Sequence, residues 1–104
     1  MLIVTGPCYI HGVIQSFKHK GLKQLFEKGT ARGVRADQLA KIENILAVLN
    51  RARNHKDMDL PGFGLHRLKG DLKEFWSVTV KANWRIIFRF ENGGVYDVDL
   101  TDYH

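Results

Sequence analysis

Residues 66–104 read HRLKGDLKEFWSVTVKANWRIIFRFENGGVYDVDLTDYH, and the rest of the chain is organised around them. Apolar and polar residues alternate along Phe75–Val80 and Trp84–Phe90, and a third run follows at Val95–Leu100. Alternation with a period of two is typical of strands that bury one face. The short link Asn92-Gly93-Gly94 suits an antiparallel hairpin. The last third of the chain therefore predicts an antiparallel sheet.

The same alternation separates apolar from charged side chains. Arg85 and Arg89 are an even number of positions apart in the second run, so both side chains project from the same face of the strand. A sheet would hold these two cations rigidly. The alternating apolar residues of the first two runs project from the opposite face, and they are Trp76, Val78, Val80, Trp84, Ile86, Phe88 and Phe90. An apolar sheet face with cations on its reverse side is a scaffold for handling anions.

Two helices are predicted upstream of the sheet. Leu22, Leu25 and Phe26 recur at helical spacing within Leu22–Lys28, and Gly29 ends that helix. Apolar residues follow the helical period from Arg35 to Arg53, with Asp37 in the first turn and Arg51 and Arg53 in the last, as the helix dipole favours. The remaining predictions are a strand at Ile14–Phe17, a loop at Asn54–Gly64 and a strand at Leu65–Leu68. The fold class is α+β, with an N-terminal strand and two helices packed on a small antiparallel sheet.

Composition restricts the functional class. A chain of 104 residues forms one domain, and 16 Lys and Arg against 11 Asp and Glu give a net charge of +5. Such a balance favours an anionic partner, of which nucleic acid is the commonest. The single Cys8 excludes an intramolecular disulfide and indicates a reducing compartment. No apolar run approaches the ~20 residues of a membrane helix. The prediction is a cytoplasmic protein without a membrane partner.

Residues 1–12 differ from the rest of the chain. They are apolar and are interrupted by Gly6-Pro7 and Gly12. Two interpretations stay open: an extension upstream of a domain that spans 13–104, or an additional strand at Leu2–Thr5. Cys8 and His11 have a metal-compatible spacing, but a structural zinc site needs four ligands and no second pair exists at short spacing. Because phosphate-binding glycine loops are also absent from the sequence, no metal and no cofactor is predicted.

Side chains that handle protons or phosphates concentrate in the last third. Each has an ordinary structural explanation, since a single histidine in a strand is usually structural and surface cations usually face solvent. Together they match metal-free RNA cleavage, which needs a base for the 2′-hydroxyl, an acid for the leaving 5′-oxygen and cations for the phosphorane. The set is His66, Arg67, Lys69, Arg85, Arg89, Asp102, Tyr103 and His104.

From Ile14 to His104 the chain resembles the HigB branch of the RelE/ParE toxin superfamily. The stretches that carry the resemblance are IQSFKHKGLKQLFEKG, LHRLKGD, FWSVTVKANWRIIFRFENG and the final DYH. The resemblance implies a RelE-like fold and a ribosome-dependent mRNA endonuclease toxin that acts in the A site of the 70S ribosome. It also implies a HigA-type helix-turn-helix antitoxin as partner. The family's functional positions correspond here to His66, Lys69, Arg85, Asp102, Tyr103 and His104.

Roles follow from side-chain chemistry. His66 and His104 are the proton-transfer candidates, with the order of acid and base open, and Asp102 orients or assists them. Lys69 and Arg85 would stabilise the phosphorane, and Tyr103 would stack on or orient a base. Additional RNA contacts are predicted for Arg67, Arg89, Lys18 and Lys20. The alternatives are a ParE-like toxin that acts on DNA gyrase and a non-catalytic RNA-binding protein, neither of which needs two histidines beside a phosphate.

Overall fold

The computed structural model describes residues 13–102. The predictions for the strand at Leu2–Thr5 and for Cys8 and His11 concern residues outside this range. Tyr103 and His104 also lie outside it.

Four antiparallel strands form the sheet in the order of the sequence. The predicted sheet and the α+β fold class are confirmed. β1 is much shorter than the predicted Leu65–Leu68, and it forms one edge of the sheet. The bounds are β1 His66–Arg67, β2 Phe75–Lys81, β3 Trp84–Glu91 and β4 Gly94–Asp102.

A two-residue turn and a bulge determine how β2 pairs with β3. Lys81 belongs to β2, so the turn consists of Ala82 and Asn83, and Ala82 has a φ of 53°. The register shifts between Thr79 and Lys81, which makes Thr79 the direct partner of Arg85. Uninterrupted counting from the turn would instead pair Arg85 with Val80, a core residue that is 6% exposed. The bulge therefore keeps Val80 in the core and Arg85 on the opposite face.

The predicted N-terminal strand forms two isolated bridges in place of a regular strand. Ile14 pairs with Val95 and Phe17 with Val98, both parallel to β4. Between these bridges the ladder is interrupted at Asp97, which has a φ of 56° and whose backbone N–H donates to the Ser16 hydroxyl at 2.8 Å. The segment still covers the edge of β4, which would otherwise present unpaired backbone groups.

The first helix, α1, spans Lys20–Lys28 and begins two residues before the predicted start. The side chain of His19 caps it, since Nδ1 accepts a hydrogen bond from the Leu22 N–H at 3.1 Å. Gly29 ends it with a φ of 72°, a conformation that glycine adopts without steric cost.

The second helix, α2, spans Leu39–Leu49 and is shorter than the predicted Arg35–Arg53. At its start, Arg35 is extended and a 3₁₀ turn occupies Ala36–Gln38. The backbone N–H groups that follow Asn50 bond to carbonyls three residues back, so the helix tightens and stops. Asp37, Arg51 and Arg53 therefore lie outside α2, and the predicted match of these charges to its dipole is wrong.

Both helices pack on the sheet face that carries the apolar run. The predicted loop Asn54–Gly64 contains a 3₁₀ turn at His55–Met58, and the side chains of Met58 and Phe63 enter the core. Among residues 13–102, no helix is both long and apolar enough to cross a membrane. The largest fully buried apolar side chains are Phe88, Leu22, Ile42, Ile45, Leu49, Met58 and Ile86.

Candidate active site

The sheet face turned away from the helices, here called the outer face, carries two rows of cross-strand partners. One row runs His66, Ser77, Ile87 and Asp99, and the other runs Thr79, Arg85 and Thr101. Directly opposed residues on neighbouring strands present their side chains on the same face. The pairing register therefore brings His66 of β1 and Arg85 of β3 to one surface, with β2 between them. Two strand spacings of about 4.8 Å and an offset of two residues of about 3.4 Å each put their backbones about 12 Å apart, a gap that the two side chains and a phosphate can span.

His66 is exposed, and one of its ring nitrogens is engaged. Nδ1 lies 3.2 Å from the carbonyl oxygen of Leu65. A carbonyl only accepts hydrogen bonds, so this contact requires the proton on Nδ1. The lone pair of the neutral ring is then on Nε2. Nε2 is therefore the ring atom able to exchange a proton with a bound ligand.

Arg85 is half-buried, and Thr79 fixes part of its geometry. The Nη1 group of Arg85 donates to Oγ1 of Thr79 at 2.9 Å. An arginine fork held in this way is suited to phosphate oxygens, because fewer rotamers remain to be ordered on binding. Sequence reasoning missed Thr79, whose partnership with Arg85 depends on the bulge in β2.

Ser77 is a second residue that sequence reasoning missed. It lies between His66 and Ile87 in the first row and is 1% exposed. Its hydroxyl has no hydrogen-bond partner within the described part of the chain. The alternation in the sequence predicts that Ser77 shares a face of the strand with Phe75 and Thr79. Its burial is not, because it depends on the small apolar cluster of Leu68, Phe75 and Ile87 on the outer face.

Lys69 and Asp102 lie at opposite edges of the sheet. Lys69 follows β1, immediately before the 3₁₀ turn at Gly70–Leu72, and its side chain is exposed. Asp102 ends β4 as the cross-strand partner of Trp84, so this pairing places its side chain on the helix side of the sheet, next to the outer-face pair of Arg85 and Thr101. The structure thus places Asp102 at the same end of the sheet as Arg85. Tyr103 and His104, predicted to act with Asp102, are outside the described residues.

The four predicted RNA-contacting cations are dispersed. Lys20 is the exposed first residue of α1, and the Lys18 Nζ lies 5.6 Å from the centroid of the Phe75 ring. Arg67 is on the helix side of the sheet, where its guanidinium lies 5.4 Å from the Trp76 ring. Its Nε donates to the Lys73 carbonyl at 3.1 Å. Arg67 therefore does not share the outer face with His66.

Arg89, the fourth of these cations, is already paired with carboxylates. Its Nε donates to Asp97 at 2.8 Å, and its Nη1 donates to Glu91. The bonds to Asp97 and then Glu91 raise the pKa of the Arg89 guanidinium above its ordinary value. Its carbon Cζ also lies 5.1 Å from the centre of the Tyr96 ring. Neutralised charge makes Arg89 a weaker ligand for phosphate than an arginine without carboxylate partners, and its role in RNA binding stays a prediction.

Within residues 13–102, no three His, Cys, Asp or Glu side chains lie close enough together to hold a metal ion. The described groups on the outer face that can act on a phosphate are imidazole and cations. Such groups transfer protons and stabilise developing negative charge.

Comparisons with known proteins agree on one family. The family model described as RelE-like toxin of type II toxin-antitoxin system HigB matches residues 15–104. Among curated proteins, Endoribonuclease HigB from Proteus vulgaris is 47% identical over 92 residues. That match covers 88% of this chain and 100% of the relative.

Proposed function

The chain belongs to the HigB-like toxin family of type II toxin-antitoxin systems, and we propose that it is an endoribonuclease that cleaves mRNA during translation. The relative from Proteus vulgaris carries the name endoribonuclease. The observation that supports the proposal most directly is the outer face itself. His66 offers Nε2 for proton transfer there, and Arg85 is oriented by Thr79 on the same surface.

The proposed reaction is an in-line transesterification. A base removes the proton of the ribose 2′-hydroxyl, and O2′ attacks the adjacent phosphorus. The bond from phosphorus to O5′ breaks, and an acid supplies a proton to the leaving oxygen. The products are a 2′,3′-cyclic phosphate and a 5′-hydroxyl, so one proton is taken and one is returned.

His66 and His104 are proposed to share these two proton transfers, with Asp102 orienting or assisting them. The contact with the Leu65 carbonyl leaves Nε2 as the atom through which His66 gives or takes its proton. Lys69 and Arg85 would stabilise the phosphorane, whose negative charge exceeds that of the substrate phosphate. Tyr103 would stack on a base beside the cleaved bond. No step of this scheme requires a metal ion.

The ribosome is proposed to supply what a small basic domain lacks. In-line attack requires O2′, phosphorus and O5′ in a line, and a flexible RNA adopts this arrangement only rarely. A ribosomal A site holds the message in one conformation, which the outer face would then contact. Membership in a toxin-antitoxin family implies an antitoxin partner, and we propose that it is a HigA-type helix-turn-helix protein.

The experiment compares one message in two states. Purified chain is mixed with naked mRNA or with the same mRNA on 70S ribosomes, and 5′ ends are mapped over time. We expect rapid cleavage only in the ribosomal sample. It should persist when EDTA is added after the complex has formed, provided that the ribosome stays intact. Equal rates on naked mRNA would contradict ribosome dependence, and cleavage of neither sample would contradict the proposed activity.

A further inference from the structure

The two tryptophans of the sheet differ in what contacts their rings. Trp76 is stacked by the His55 ring at a centroid distance of 4.2 Å, and Arg67 also lies against it. Trp84 is half-buried and takes part in no ring stacking or cation–π interaction among the described residues. An aromatic platform without such a partner is what a nucleobase stacks on in single-strand RNA recognition.

Gln38, in the 3₁₀ turn before α2, has an unsatisfied amide oxygen. The residue is 2% exposed, and its Oε1 is buried without a hydrogen-bond partner in the described part of the chain. Buried amide oxygens are usually hydrogen-bonded, because loss of water is otherwise uncompensated. Rotation of the amide toward the pocket that Gln38 lines would bring this oxygen within reach of a ligand's donor, which would satisfy it.

Gln38 and Trp84 line the same surface pocket of about 240 Å³. Arg35, Lys81 and Asp37 surround it, and the Asp37 carboxylate bonds to Arg35 Nε at 3.2 Å and to Lys81 Nζ at 3.1 Å. Two cations against one carboxylate leave a net charge of 2 − 1 = +1 beside the pocket. The side chains of Arg35 and Lys81 remain 62% and 58% exposed, so both can also reach a phosphate.

An aromatic ring, an unsatisfied amide and surplus positive charge are complementary to one nucleotide. We propose that this pocket is a nucleotide subsite, in which Trp84 stacks on the base, Gln38 hydrogen-bonds its edge, and Arg35 and Lys81 face its phosphate. The assignment of that nucleotide to the RNA substrate rests on the proposed function. Such a subsite would let the chain select an RNA sequence in addition to cleaving the RNA.

The position of the pocket connects it to the candidate active site. Trp84 immediately precedes Arg85 in β3 and is the cross-strand partner of Asp102. The pocket lies on the helix side at the end of the sheet where the β2–β3 turn is located. An RNA strand that passes around this end would place one nucleotide in the pocket while a neighbouring phosphate contacts the outer face. The subsite would therefore bind a nucleotide close to the cleaved bond.

A titration without ribosomes tests the subsite. The full chain is titrated with each of the four ribonucleoside 5′-monophosphates, and the two indole N–H resonances are followed by NMR after assignment with Trp76→Phe. We expect at least one nucleotide to shift the Trp84 resonance with a dissociation constant of about 1–10 mM, as suits a single stacked base. Ribose 5-phosphate, which lacks the base, should leave that resonance unchanged.

Gln38→Leu should weaken nucleotide binding about tenfold, as expected when one buried hydrogen bond is lost. Gln24→Leu is the matched control, because Gln24 is an exposed residue of α1 far from the pocket in sequence, and binding should be unchanged. The subsite is refuted if no nucleotide shifts Trp84, if ribose 5-phosphate shifts it equally, or if both glutamine variants bind alike. The wild-type titration decides the question even if Gln38→Leu does not fold.

The nucleotide titration and the mRNA cleavage assay can fail independently of each other. Mononucleotides can bind whether or not the chain cleaves RNA, so a failed cleavage assay would leave the titration result standing. If cleavage is found, 5′-end mapping with Gln38→Leu should show a changed base preference next to the cut. An unchanged preference would refute the role of the subsite in substrate selection.

Discussion

Arg85 and Thr79 are joined across the β2–β3 ladder by a hydrogen bond of 2.9 Å from Nη1 to Oγ1. The bulge between Thr79 and Lys81 makes these residues direct partners. The bond orients a guanidinium on the outer face, two strands from His66. Thr79 thereby becomes a positioning residue of the candidate active site.

Thr79→Val should lower the rate of mRNA cleavage about tenfold, because it removes a hydrogen bond to a charged group while keeping the side-chain shape. Thr79→Ser is the control, since it keeps the hydroxyl and should retain most of the activity. The rates are measured on ribosome-bound message at equal protein concentration. Equal activity of the valine and threonine proteins would show that this bond does not orient Arg85 for the reaction.

His66→Gln should lower cleavage by about 10²–10⁴-fold, as expected for loss of a proton-transfer group. His66 is exposed, so the thermal transition should change by only a few degrees. Single-turnover rates and a melting curve measure the two effects.

The matched control for that variant is His55→Gln. His55 stacks on Trp76 on the helix side of the sheet, away from the outer face. Its replacement should leave the cleavage rate near that of the wild type. Comparable losses in both histidine variants would contradict a special role for His66.

The arrangement of strands was predictable from the sequence, because alternation and turn residues act locally. Trp84, Ile86 and Phe88 do lie on the helix side, opposite Arg85 and Arg89. Register was harder to predict. The bulge beside Val80 moves the pairing of residues 75–79 with β3 by one position, and no residue type in KANW predicts it. Contacts such as that between Thr79 and Arg85 follow from that register.

The ends of helices and the pairing of charges also depended on tertiary structure. Asp37 was predicted to complement the dipole of α2, whereas it precedes that helix and binds Lys81 of β2. Arg89 was predicted as a rigid cation for RNA, and its partner Asp97 is placed by a backbone irregularity in β4. Sequence periodicity shows which residues share one face of a helix or strand. Which of them become partners depends on the register and packing of the folded protein.

The Asp37 ion pairs should make folding stability depend on pH. The bonds to Lys81 and then Arg35 lower the pKa of Asp37 from 3.8 in the folded protein. Because the folded-state pKa is the lower one, the stabilisation is complete above about pH 5 and is lost as pH falls through the folded-state pKa. Urea midpoints of the wild type and Asp37→Asn should therefore differ at pH 7 and converge in acid.

Asp59→Asn controls for the loss of one negative charge, because Asp59 is exposed and forms no ion pair among residues 13–102. Its midpoint should follow that of the wild type at each pH. A difference between Asp37→Asn and wild type that stays constant down to pH 2 would contradict the assigned ion pairs.

Gly21→Ala should destabilise the fold, although alanine favours helices over glycine. A Cβ at Gly21 would lie 2.5 Å from the carbonyl oxygen of Gly33, and backbone there cannot move aside cheaply. We expect a loss of about 1–3 kcal/mol in unfolding free energy, measured by urea denaturation. Gly21→Ala with equal or higher stability would show that the two segments do not approach so closely.

Growth arrest and mRNA cleavage in cells should both require residues 102–104. The full chain and a chain lacking residues 102–104 are induced in parallel, and the 5′ ends of translated mRNAs are mapped. We expect new ends within coding regions and arrested growth for the full chain, and neither for the truncated chain, provided that its thermal transition shows it to be folded. A folded truncation that produces the same ends and the same arrest would contradict the assignment of catalysis to Asp102, Tyr103 and His104 acting with the outer face.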